Sequence, residues 1–140
     1  MDGEPSPRIY RAMLENNGMP RLGSSATTLG VRQNKDIEVD QAGLVHRPAF
    51  LPNEKNGLSC ARSIASLPPF ALPIAWGGKN ARTAVWQIEE INLGAELLAG
   101  DDAAPGSQHV SVGPSHTMPY DNYVQTIEAT RPKWKKVVRN

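Results

Sequence analysis

The chain is short of the features that most readily assign a protein to a class. It has one cysteine, Cys60. No internal disulfide is possible and no thiolate zinc cluster can be built, which removes the usual staples of small secreted domains. No apolar run approaches the roughly 18 residues of a membrane span. The opening MDGEPSPRIYR lacks the basic start and apolar stretch of a secretory signal. A soluble, cytoplasmic protein without a signal peptide is expected, one that would need a dedicated machine for any export. Charge of one sign is lacking too: 15 basic against 14 acidic side chains leave a formal +1, unlike the basic surface of a general DNA-binding protein. Nucleic acid is therefore not an expected partner. With only 3 Trp, 3 Tyr and 2 Phe, most aromatics are needed as core anchors, although Trp76, Phe50 and Phe70 in Gly- and Pro-rich surroundings are candidates for stacking on a ring. GxGxxG after a strand, GxxxxGK[ST], HExxH and GxSxG are all missing, so Rossmann, P-loop, zincin and nucleophile-elbow readings have no foothold. His46, His109 and His116 lie in separate segments without the spacing of a helical metal site, and no metal is expected.

What is present points to one compact domain over residues 1–140, with short mobile ends at about 1–7 and 136–140. Twelve Gly and twelve Pro spread through the chain favour many short elements over a few long helices, hence a mixed α and β fold rich in strands. Pro7 to Leu14 reads as a first strand that turns at Asn16, Asn17 and Gly18. Ile37 and Val39 alternate with acidic residues before Leu44 and Val45, the outline of a small hairpin. Pro48 to Asn56 is a loop by every local signal, a candidate lid or binding loop. The Pro68-Pro69 pair forbids a long helix. Ala81 to Ile88 is the best single strand, Leu93 to Leu98 a weaker one, and Gln108 to Val112 a short strand closed by Gly113-Pro114. Asp101 to Ser107 is loop. From Pro119, the spacing of Tyr120, Tyr123, Val124 and Ile127 predicts a terminal helix ended or kinked by Pro132, with Trp134 packing back. The lysines around Trp134 resemble a small phosphate patch, although a solvated face is the plainer reading.

Three segments occur in a recognisable order: IYRA at Ile9 to Ala12, GLS at Gly57 to Ser59, and HVSVGP at His109 to Pro114, before a helix running to Trp134. Together they resemble the small ADP-ribosyltransferase-like toxins delivered by type VI secretion systems. That family carries an LYRA-like opening, a Gly-[LTM]-Ser strand, an H-x-x-x-x-P strand and a helix closing on Trp. The resemblance implies an α+β fold with an ADP-ribosyltransferase-like split, twisted β-sheet core, short helices and a C-terminal helix. It also implies a bacterial toxin that uses NAD as substrate and is countered by a cognate immunity protein. A non-catalytic protein-interaction module on the same fold is the alternative.

Cleaving nicotinamide from NAD leaves an oxocarbenium-like ribose, so a catalyst needs a cation for the pyrophosphate, a hydroxyl for the ribose and an anionic or polar group beside the developing charge. Arg11 suits the first task through its planar fork, although a strand residue in a surface ion pair is an equal reading. Ser59 suits the second, although Gly-Leu-Ser is equally read as a packed strand start. Tyr10, Gly57, Leu58 and Arg62 flank these residues as further dinucleotide contacts, and Arg62 and Ser63 are adjacent alternatives to them. The third position departs from the familiar ADP-ribosyltransferases, which carry a glutamate on a late strand, because Gln108 to Val112 contains no carboxylate. Glu128, Glu89 or Glu90 and a hydrogen bond from His109 are the candidates to replace it.

Overall fold

The computed structural model describes residues 6–102 and 106–139. Ten strands and one α-helix follow in order: β1 Arg8–Met13, β2 Glu15–Asn16, β3 Met19–Pro20, β4 Leu44–Val45, β5 Leu58–Ala61, β6 Ala84–Glu89, β7 Leu97–Asp101, β8 His109–Pro114, β9 Met118–Pro119, α1 Tyr120–Ala129 and β10 Lys135–Lys136. Single 3-10 turns stand at Ile64–Ser66, Ile74–Trp76, Glu90–Leu93 and Arg131–Lys133. The fold is mixed α and β, a mostly antiparallel sheet with a C-terminal helix. Six strands form the main sheet in the order β10-β6-β1-β5-β8-β7, every ladder antiparallel.

Alternation along β1 decides which side of the sheet each residue faces. Ile9 and Met13 join the larger core beneath α1, where Trp86, Ile88, Leu58, Cys60, Val110 and Val112 meet Tyr123 and Ile127 of the helix. Tyr10 and Ala12 join a smaller cluster with Ala61, Val85, Leu67, Ala71 and Leu72 on the other side. Cross-strand pairs such as Ile9 opposite Ile88 fix the register, since a slip of one residue would exchange the two faces. Asp121 in the first turn of α1 complements the helix dipole, and Pro132 stops the helix. Trp134 is 3% exposed and its indole donates to Thr130 Oγ1 at 3.0 Å. Buried and bonded in this way, it offers no face for base stacking, and of the neighbouring lysines Lys136 pairs with Glu15 and lies over the Trp86 ring.

Three expectations change. The hairpin over Ile37 to Val45 is confined to its turn: Asp40 N–H donates to Leu44 O and Gly43 N–H to Asp40 O, each at 3.0 Å, while β4 pairs with β9, Leu44 opposite Pro119. β7 starts at Leu97 because Gly94 (φ 88°) redirects the chain after the 3-10 turn. The chain end stays in the sheet beyond Lys135: Lys136 pairs with Trp86, and Val137 N–H donates to Val85 O at 2.8 Å. At the other end Glu90 N–H donates to Pro7 O at 2.8 Å. Of the ends expected to be mobile, residues 1–5 and 140 lie outside the described residues, as do 103–105 of the loop expected from Asp101 to Ser107.

Candidate functional site

β5 and β8 pair with Ser59 opposite Ser111 and Ala61 opposite His109. Ser59, Ser111 and His109 therefore share one side of the sheet. The diagonal neighbours Ser59 and His109 are bonded, Oγ to Nε2, at 2.8 Å. His109 Nδ1 lies 3.9 Å from Asp102 Oδ2, and the His109 side chain is 45% exposed. The hydroxyl and the imidazole border a cavity of about 350 Å³ whose walls also include Arg11, Gly57, Asp36, Glu54, Leu67 and Phe70.

Arg11 reaches this cavity from inside. β1 and β5 pair at one register position, Tyr10 opposite Ala61, and beyond it the guanidinium spans the opening. Nη1 donates to Ser59 O at 2.6 Å, Nη2 to Ser25 O at 3.0 Å and Thr28 O at 2.7 Å, and Nε to Thr28 O at 3.1 Å. The residue is 5% exposed. Burial pulls its pKa below the ordinary value, opposed by Cys60 and Asp36. Its fork, expected to grip a pyrophosphate, instead gathers three backbone carbonyls and holds the 25–28 turn against β5.

The other expected site residues separate. Tyr10 packs in the smaller cluster, and Leu58, 2% exposed, belongs to the larger core. Gly57 borders the cavity at φ 119°, and a Cβ there would stand 2.2 Å from Val112 O and 2.6 Å from Tyr123 Oη. Only glycine fits this approach. Tyr123 makes it rigid by donating to Val112 O at 2.5 Å and accepting from Leu58 N–H at 3.3 Å. Arg62 lies outside the cavity wall, donating from Nε to Asp101 Oδ1 at 2.7 Å and from Nη1 to Glu90 Oε2. The Asp101 hydrogen bond, with help from Glu90, raises its pKa despite the opposing burial. Both Arg62 and Glu90 are thus committed to each other. Glu89 ends β6, Glu128 is half-buried on α1, and neither borders the cavity. Ser63 bonds Ser66 at 2.8 Å.

Several cavity residues escaped the sequence reading. Arg32 grips Asp36 in a paired geometry, Nε to Oδ2 and Nη2 to Oδ1 at 2.9 Å each. Among the described residues, Lys35 and Glu54 are lining charges whose side chains have no hydrogen bond or ion pair. The NEKN run at 53–56, immediately before GLS, was the available signal for Glu54. Cys60 also lines the cavity but is buried, and burial pushes its thiol up to about 12, with Arg11 and Arg62 opposing. It is no nucleophile at neutral pH. Among the described residues no group of three or more His, Cys, Asp or Glu is placed to hold a metal ion, and no helix is long and apolar enough to cross a membrane.

No family model matches the chain, and no curated protein or solved structure matches it either.

Proposed function

We propose that this chain is a bacterial toxin of the ADP-ribosyltransferase-like kind, which binds NAD in the cavity beside Ser59 and breaks its nicotinamide–ribose bond. The observation that carries this reading is the Ser59–His109 hydrogen bond on the wall of a cavity of about 350 Å³, a size typical of small-ligand sites. The opening between β1 and β5, spanned by Arg11, supports the split-sheet form of the fold.

In this reading Ser59 orients the ribose and His109 fixes the serine rotor. Phe70, 59% exposed at the cavity, offers an aromatic face to a base. The C1′–N bond breaks with its electron pair leaving on neutral nicotinamide. C1′ then bonds to water or to a nucleophile on a target macromolecule, whose proton passes to solvent. Hydrolysis gives ADP-ribose and transfer gives a modified target. Delivery by a type VI secretion system into a neighbouring cell, action in its cytoplasm and a cognate immunity protein in the producer complete the proposal.

One observation favours the non-catalytic alternative, an interaction module on the same fold: β8, with sequence HVSVGP, carries no carboxylate. Expression in a bacterial host separates the two. Wild type should arrest growth and deplete NAD, while Ser59→Ala and His109→Ala, folded to the same melting temperature, should do neither. Identical behaviour of all three would leave the interaction module.

A further inference from the structure

Heterolysis at C1′ places positive charge on the ribose, and a nearby fixed anion stabilises that charge more in the transition state than in the ground state. Two carboxylates among the described residues border the cavity, Asp36 and Glu54. Asp36 is already committed: besides the paired Arg32 fork, it accepts the Arg32 backbone N–H at 2.7 Å. Glu54 has no side-chain partner among the described residues.

The loop that carries Glu54 is fixed rather than slack. Pro48 lies against Gly113, where a Cβ would meet it at 2.5 Å, and the Phe50 ring covers Gly100, where a Cβ would meet it at 2.4 Å. Gly100 pairs with Ser111, and Ser111 with Ser59. The loop therefore crosses the sheet on the Ser59 side. Its return is tied by Asn56 Nδ2 donating to Leu51 O at 3.0 Å and Glu54 N–H donating to Leu51 O at 3.3 Å. Phe50 (φ 57°) and Asn53 (φ 64°) hold the left-handed conformation that makes this bend, a strain more often kept at functional loops than elsewhere. The loop thus brings an uncommitted carboxylate to the cavity that holds Ser59 and His109.

We propose that Glu54 is the catalytic carboxylate of this site, supplying from a loop the charge that no β8 residue supplies. The assignment rests on the NAD reading above. Glu54 forms no bond. Its charge faces the ribosyl cation while nicotinamide departs with the electron pair and water or the target nucleophile closes on C1′.

The test is NAD cleavage by the purified full chain, comparing wild type, Glu54→Gln, Glu54→Asp and Ser59→Ala. The neutral Glu54→Gln should lose roughly 100-fold or more in kcat while KM stays within about twofold, because the lost interaction belongs to the transition state. Glu54→Asp should recover part of that loss, and both variants should melt with the wild type. If wild type cleaves NAD, Ser59→Ala does not, and Glu54→Gln stays within about threefold of wild type, the Glu54 assignment falls and the NAD reading stands. A wild-type chain that neither binds nor cleaves NAD overturns both.

Discussion

Arg11 and Ser59 border one cavity from opposite directions, and they are held in opposite ways. The arginine is enclosed, and its fork is taken up by three carbonyls. The serine is partly exposed and its hydroxyl meets one imidazole that is itself 45% exposed. A buried cation with no carboxylate in contact is costly to desolvate and persists only where its hydrogen bonds are nearly complete, so Arg11 reads as scaffold. A hydroxyl and an imidazole open to solvent add little to stability and remain available to a ligand. The strand that carries Ser59 is thus braced from below and free above.

The largest effect should come from removing the brace. Arg11→Ala strands the carbonyls of Ser25, Thr28 and Ser59 and should cost about 3–5 kcal/mol in urea unfolding, whereas Ser59→Ala should stay within about 1 kcal/mol of wild type. Comparable losses in both variants would remove the contrast. Arg62 sharpens it further. That side chain, 24% exposed, bridges Asp101 and Glu90 near the surface, and solvent and salt screen such pairs. Arg62→Ala should therefore cost about 1 kcal/mol, diminishing in about 1 M salt, where the screening length is roughly threefold shorter than at 0.1 M. A loss as large as that of Arg11→Ala would mean that the surface pair is structural.

The smallest effect concerns pH. The hydrogen bond that His116 donates to the Glu96 carboxylate raises its pKa above the ordinary 6.5, with the Thr117 carbonyl assisting. A histidine raised in the folded state adds stability that is complete below 6.5 and is lost as pH rises through the folded value. A proton NMR titration should find this imidazole titrating above a peptide histidine, and Glu96→Gln should return it toward normal. A midpoint unchanged by Glu96→Gln would remove the pair from the account.

The elements with the strongest local pattern were legible in the sequence. β1, β6 and β8 have apolar and β-branched runs, α1 has its three- and four-residue spacing, and the prolines of 48–56 mark that segment as loop. What required the structure was pairing across long separations. Leu44 and Val45 carry the same local signal whether they close a hairpin on Val39 or join Met118, and only the packed helix decides for the second. The bond between Ser59 and His109 depends on the β5–β8 register, which no local pattern encodes. Arg11 was legible as a residue that gathers oxygen atoms, but phosphate and backbone carbonyl ask the same of a guanidinium fork. The difference is burial, which belongs to the whole fold. Glu54 lay inside a segment already marked as loop, and its place at the cavity follows from contacts at Gly100 and Gly113 that are far away in sequence.

The single sulfhydryl carries a consequence for handling. Buried at the cavity wall, with burial pushing its thiol up to about 12, Cys60 stays protonated at neutral pH. Glutathione and alkylating reagents should find this thiol inert in the folded chain.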